Sequence, residues 1–259
     1  MDLRVKPMTP ACGAEVFGAD LAGPPAAVAR SLRPLLLRHG VLVFHEQATL
    51  TPEAQIALAR CFGHVTALPS GLPGHPEIAR IDHGVDAPPT ENVWHSDMSF
   101  LSHPPMGALL RAVVLPPVGG DTLFADMRTA WRRLPDRLKE IVRELSAEHD
   151  IAKCAPAGDR GRFAGFPPVV HPLMRTHPET GEEILFANPA YTTRVVGVPE
   201  AEGAALLNRL FRMASVPEIQ CRVRWAERTV VLWDNRSLQH YAVADYLPAR
   251  RIMDRVSIA

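Results

Sequence analysis

Ile219-Gln220-Cys221-Arg222-Val223-Arg224-Trp225 and Thr229-Val230-Val231-Leu232-Trp233 are the stretches whose reading decides the fold class. The first alternates apolar and polar residues, the period-2 pattern of a strand. The second is a short continuous apolar run, which suits a strand buried on both faces. Ala226-Glu227-Arg228 between them reads as a turn. Arg251 to Ile258 adds a final strand. Strands therefore dominate the last third of the chain, which argues against a doubly wound parallel sheet and for a mixed α+β fold of sheet or barrel type.

Working outward, Leu3 to Pro7, Ala14 to Phe17, Val41 to His45, Ile78 to Asp82, Gly107 to Leu115, Thr122 to Ala125, Val169 to Arg175 and Ile184 to Ala187 read as further strands. Pro24 to Arg38 carries Val28, Leu32, Leu35 and Leu36 at helical spacing and ends at His39-Gly40. Thr51-Pro52 opens a second helix, with Thr51 as N-cap and Pro52 at the first helical position, running to about Phe62. Met127 to Leu145 is helical and broken at Pro135, and Pro199 to Ala214 is helical. The 25 prolines and 17 glycines point to many short elements joined by turns. No linker cuts the chain, so residues 1–259 are expected to form a single domain.

Composition excludes several classes. The 28 Lys and Arg balance 28 Asp and Glu, which removes the basic footprint of a nucleic-acid binder. No apolar run approaches the ~20 residues that span a bilayer, and the N-terminus lacks the apolar core of a signal peptide. Cys12, Cys61, Cys154 and Cys221 form no CxxC and are expected as reduced, mostly buried thiols of a cytoplasmic protein. No GxGxxG, GxxxxGK[ST] or GxSxG stretch is present, so nucleotide-binding and α/β-hydrolase readings lose their usual markers.

Of eleven histidines, most need no special role. His39 ends a helix, His45 ends a strand, and His64, His75, His83, His103, His149 and His177 are expected in loops or turns. His95 differs because of Asp97. On extended backbone, residues i and i+2 project from one face, so an imidazole and a carboxylate can meet at a common point while Ser96 points away. A third ligand from a distant strand completes a 2-His-1-carboxylate set, whose open positions suit non-haem Fe(II). His240, after a strand and a turn, is the candidate partner at a barrel rim. Arg251 and Arg255 share one strand face with Met253. Two inward arginines are costly unless they meet anions, which guanidinium grips with paired hydrogen bonds.

His95-x-Asp97, the later His240, and Arg251 and Arg255 after it together resemble the Fe(II)/2-oxoglutarate-dependent oxygenases of the taurine dioxygenase group. Trp94-His95-Ser96-Asp97 matches the WH-S/T-D signature of that family, and Gly119-Gly120-Asp121-Thr122 its GGDT stretch. His171-Pro172, Arg175-Thr176-His177-Pro178 and Tyr191-Thr192-Thr193-Arg194 match its HP…RTHP…TTR run. Trp233-Asp234-Asn235-Arg236 through Arg255 follows its C-terminal signature.

The resemblance implies a double-stranded β-helix, or jelly roll, with helices outside. It implies Fe(II) held by His95, Asp97 and His240, with no catalytic residue beyond the iron centre. Thr122 would hydrogen-bond 2-oxoglutarate, Arg251 would lie near its C1 carboxylate, and Arg255 would pair with its distal C5 carboxylate and border the substrate. The implied reaction consumes O2, oxidises an unactivated C–H bond of a small acidic substrate, with C–S, C–O or C–N cleavage as a further outcome, and releases succinate and CO2. Asp97 fills the position that is small in related halogenases, so halogenation is not expected. Taurine-using members carry a His-x-x-Tyr after the Phe-Gly turn, an Asn where Glu91 stands, an aromatic residue where Ala155 stands, and a Phe where Tyr191 stands. These departures point away from taurine, and Glu91 and Tyr191 join Arg255 as candidate substrate contacts, Glu91 favouring a cationic amine. Cys154 to Pro168 reads as a loop that closes over substrate. A homodimer or tetramer is expected, with no nucleic-acid or membrane partner. Two alternatives use the same residues: a zinc-dependent hydrolase and a non-catalytic jelly-roll protein that binds a small acid.

Overall fold

The computed structural model describes residues 3–68, 70–154 and 165–259. The described residues form four sheets. In the major sheet the strand order is β1 (Arg4–Pro7), β2 (Ala14–Phe17), β3 (Val41–Phe44), β13 (Val230–Asp234), β5 (Gly107–Val114), β15 (Arg251–Ile258) and β4 (Ala79–His83). All neighbours are antiparallel except β2 and β3. A smaller sheet runs β12 (Gln220–Val223), β6 (Thr122–Asp126) and β14 (Leu238–Ala242). A third sheet joins β11 (Thr192–Val195), β7 (Ser146–His149) and β8 (Val169–Pro172), and β9 (Met174–Thr176) pairs with β10 (Glu183–Leu185).

The apolar runs divide residue by residue between two cores. Val41, Val43, Ala108, Leu110, Val231, Trp233 and Met253 of the major sheet pack with Phe124, Cys221, Val223 and Leu238 of the smaller one. Their intervening neighbours Leu42, Phe44, Leu109, Val230, Leu232, Val256 and Ile258 face the other way, against α1 (Pro25–His39) and α2 (Pro52–Arg60). Burial on both faces is why these strands read as continuous hydrophobic runs. A third core holds Ala125 on the back of β6 against α3 (Met127–Arg133), α4 (Asp136–Arg143) and α5 (Glu200–Phe211). Thr51 caps α2 as its sequence predicts, accepting the Ala54 N–H at 3.3 Å. Pro135 separates α3 from α4. No helix among the described residues is long and apolar enough to cross a membrane.

Several elements differ from their sequence expectation. Leu238–Ala242 is a strand, so His240 lies within a sheet rather than after a turn at its rim. Its first three residues are all buried although two are polar, which hides it from a hydrophobic pattern. Ser146–His149 and Thr192–Val195 are likewise strands of polar composition. Val169 to Arg175 is two strands separated at Leu173, and the helix after Pro199 continues beyond Phe211 as a 3₁₀ turn. All four cysteines are free, but only Cys12 and Cys221 are buried; Cys61 and Cys154 are exposed.

Three of the histidines expected in loops or turns also have defined places: His83 ends β4, His177 is buried against Asp234, and His149 ends β7, fully buried. His149 contacts Ser99 Oγ through Nδ1 at 3.0 Å and stacks on Phe186. Burial, then the neighbouring His171, pushes its pKa down to about 3. The unfolded chain binds that proton near pH 6.5 and the folded chain does not, so His149 costs stability as pH falls from about 6.5 towards about 3. Urea unfolding at pH 7 and pH 5 is expected to show wild type losing more stability than His149→Gln, by about 1–2 kcal/mol. Equal losses would mean that His149 titrates alike in both states.

Candidate metal centre

Glu91 to Asp97 belongs to no named strand, yet it is laid along β14 by main-chain bonds. The His95 N–H donates to His240 O at 3.1 Å, the His240 N–H donates to His95 O at 2.8 Å, and the Ala242 N–H donates to Glu91 O at 3.3 Å. Ser96 Oγ adds a bond to Leu238 O at 2.8 Å. Directly bridged residues share a face, so the two imidazoles stand side by side with ring centroids 4.1 Å apart. Met98, at φ 52°, then turns the chain. Asp97 Oδ1 sits 3.8 Å from Nε2 of both His95 and His240. The three residues are buried and offer ligand atoms within 4.8 Å of one another.

The protonation pattern leaves these atoms available. His95 Nδ1–H donates to Val93 O at 2.7 Å, which puts the ring's lone pair on Nε2. Burial pushes the His240 pKa down to about 3, keeping that imidazole neutral. Burial alone would raise the Asp97 pKa, but the Arg255 guanidinium beside it holds the carboxyl below its ordinary value. Asp97 Oδ2 is buried with no hydrogen-bond partner among the described residues. Two imidazoles and an anionic carboxylate converging at this spacing suit a divalent cation with N/O preference.

β15 carries the arginines. Its inward residues Arg251, Met253 and Arg255 flank the same space, while Asp254 faces outward and takes a two-pronged bond from Arg80 (2.8 and 3.0 Å) and one from Arg111 (2.9 Å). Arg255 Nη1 donates to Asp97 Oδ1 at 3.1 Å. Arg251 is buried over the Trp225 ring, whose Nε1–H donates to Thr122 Oγ1 at 3.0 Å. Its charged neighbours are Glu91 and Asp121, not Asp97. Arg255 therefore stands at the carboxylate ligand, and Arg251 stands with Thr122, away from it. Nε of both arginines is buried without an acceptor among the described residues.

A pocket joins these groups. Ile81, Leu110, Phe124 and Trp233 are apolar walls, and Glu91, His95, Thr122, His240, Arg251 and Arg255 contribute polar groups. Glu91 is held at its edge by His83 Nε2–H (2.9 Å) and the Thr90 N–H (3.1 Å). Tyr191 does not line this cavity; its ring packs edge-on to His95 and against Phe100, on another side of the imidazole. Residues 155–164 of the expected closing loop, including Ala155, lie outside the described residues. Sequence reasoning gave no role to Trp225, to His83, or to Asn235, whose side chain bonds the main chain of Asp97. Only Asn235 carried a signal, as part of the quoted Trp233-Asp234-Asn235-Arg236 run.

Comparison with known proteins bears on this arrangement. The model of the family "Taurine catabolism dioxygenase TauD, TfdA family" matches residues 4–257. The alpha-ketoglutarate-dependent sulfate ester dioxygenase of Pseudomonas putida is 32% identical, with 100% of this chain and 90% of that protein covered. The alpha-ketoglutarate-dependent 2,4-dichlorophenoxyacetate dioxygenase of Cupriavidus pinatubonensis is 34% identical, covering 99% and 98%. The crystal structure of AAD-2 in complex with Mn(II) and N-oxalylglycine superposes with a TM-score of 0.86 at 29% identity, covering 100% and 98%.

The turn before Thr122 is sterically tight. Gly119 has φ +85°, and a Cβ there would lie 2.5 Å from Asp245 Oδ1, the atom that accepts the Gly120 N–H at 2.8 Å. Gly119→Ala is expected to lower stability by about 1–3 kcal/mol in urea unfolding. A wild-type midpoint would mean that this turn does not need the left-handed conformation.

Proposed function

The chain belongs to the taurine catabolism dioxygenase TauD, TfdA family, and on that premise we propose that it is an Fe(II)- and 2-oxoglutarate-dependent dioxygenase of a small organic acid other than taurine. As a member of a family of alpha-ketoglutarate-dependent dioxygenases it is an oxidoreductase that uses 2-oxoglutarate and O2. The observation that carries the finer reading is the buried convergence of His95, Asp97 and His240 with inward arginines beside it. We read the two facing sheets as a double-stranded β-helix, in a single domain with the helices outside.

His95 and His240 would bind Fe(II) through Nε2, and Asp97 through its carboxylate. The Asp97 Oδ2, unpartnered among the described residues, and the neutral His240 imidazole fit such a cation. When bound, iron supplies O2 activation, coupling conversion of 2-oxoglutarate to succinate and CO2 with oxidation of a substrate C–H bond. The chain's own residues then have separable tasks. Arg251 and Thr122 bind the distal carboxylate of 2-oxoglutarate. Trp225 donates to Thr122 Oγ1, which turns the threonine hydroxyl proton outward to an acceptor. Arg255 steadies Asp97 and faces the acidic groups nearest the metal. Leu110, Phe124 and Trp233 keep that space dry, which strengthens each charged contact.

The sulfate ester and the 2,4-dichlorophenoxyacetate named for two relatives are both anionic, which supports an acidic substrate. The departures from the taurine-using pattern at Glu91 and Tyr191 support one other than taurine. A zinc hydrolase would leave Arg251 and Thr122 without a ligand that needs them, and neither it nor a non-catalytic acid-binding protein agrees with the family.

Anaerobic Fe(II) followed by 2-oxoglutarate is expected to give a weak visible charge-transfer band in wild type and none in Asp97→Ala. His95→Ala and His240→Ala are expected to abolish iron-dependent succinate formation; full activity in either would overturn the ligand set. Arg251→Ala is expected to weaken 2-oxoglutarate binding by roughly 2–5 kcal/mol. A larger loss in Arg255→Ala, with Arg251→Ala unchanged, would overturn the order of the arginines.

A further inference from the structure

Asn235 is the first residue after β13, in the turn that leads into β14. Its own N–H donates to Met106 O at 2.9 Å, so its backbone is fixed. Its side chain is spent on the chain around Asp97. Oδ1 accepts the Asp97 N–H at 2.7 Å, and Nδ2 donates to Asp97 O and to Pro105 O, both at 3.0 Å. The residue is 1% exposed, so none of these bonds is shared with bulk water. A carboxamide has one acceptor and two donor hydrogens in a plane. Here it makes with Asp97 the two-way pairing that a neighbouring strand would make, at a point where Asp97 has no strand neighbour among the described residues.

This placement has a consequence for the ligands. His240 is carried by β14, and the turn that begins β14 begins with Asn235. His95 is already bridged to His240. The carboxylate ligand lies two residues further on, where the chain bends at Met98. Without the Asn235 bonds, the peptide on either side of Asp97 would be left with a buried N–H and a buried C=O unpaired, and could relax only by moving Asp97.

We propose that Asn235 is a positioning residue for the metal: its side-chain amide sets the distance and orientation of the Asp97 carboxylate relative to the two imidazoles. The inference rests on the metal-binding reading of His95, Asp97 and His240, and adds to it a residue that touches neither metal nor substrate. Removing a partner that orients a ligand typically weakens metal binding about 10–100-fold.

Mn(II) titration of the metal-free protein, followed by the EPR signal of free Mn(II), tests this without turnover. The comparison set is wild type, His240→Ala, Asn235→Ala, Asn235→Asp, and Val142→Ala, a truncation in the remote helical core. Asn235→Asp keeps an acceptor for the Asp97 N–H but loses both donors, and its near-isosteric shape avoids the cavity that the alanine variant opens. The expected result is a dissociation constant raised about 10–100-fold in both Asn235 variants and unchanged in Val142→Ala, whatever their melting temperatures. Wild-type affinity in a folded Asn235 variant would overturn the inference while leaving the ligand set intact. Equal weakening in Val142→Ala would overturn it too, because the effect would then be one of stability. No difference between wild type and His240→Ala would overturn the ligand set itself, and the inference with it.

Discussion

The two-way main-chain bond between His95 and His240 is the constraint from which the site is built. It joins a segment that belongs to no sheet to the edge of the small sheet. Because paired residues in a bridge share a face, one backbone contact fixes the separation of two imidazoles from positions far apart in the chain. The flanking bonds from Ser96 Oγ to Leu238 O and from Ala242 N–H to Glu91 O keep the segment from sliding by a residue. A slip of one would point His95 away from the cavity and Ser96 into it.

Charge placement on β15 follows the same economy of geometry. Alternation sends Arg251 and Arg255 inward and Asp254 outward on one strand. The outward carboxylate is buried under Arg80 and Arg111, its direct cross-strand partners on β4 and β5. The inward guanidiniums have Asp97 on one side and the Trp225 ring on the other. Buried charges are costly unless they are paired. Here the carboxylates are, while each arginine keeps an Nε–H in the interior that a bound dianion can use.

Most of this was legible where hydrophobic alternation and local spacing carry the information. The β15 boundaries, the face shared by Arg251, Met253 and Arg255, the Thr51 cap and the break at Pro135 all depend on neighbours in sequence. Leu238–Ala242 was hidden because it is buried on both faces and carries Gln239 on one and His240 on the other, residues that read as surface. Ser146–His149 was hidden for a related reason, its inward residues being Ala147 and a buried imidazole. The order of the two arginines could not be read from a strand pattern, which gives a face but not the depth at which that face meets Asp97. Asn235 and Trp225 act on residues more than a hundred positions away, Asp97 and Thr122. Neither partner can be read from the residues beside them, although Asn235 lies in the quoted Trp233-Asp234-Asn235-Arg236 run.

The two sides of the His95 ring are held by different parts of the molecule. Thr122, Phe124, Trp233 and Arg251 stand on strands of the core between the two sheets. Tyr191 and Phe100 stand on turns, with Tyr191 tied by its N–H to Asn188 Oδ1 and Phe100 near Phe166. Inherited changes on that second side can accumulate without passing through the strands that carry the arginines. A change in one of those turn residues therefore alters what packs on that side of His95 while leaving the strands that carry the arginines as they are.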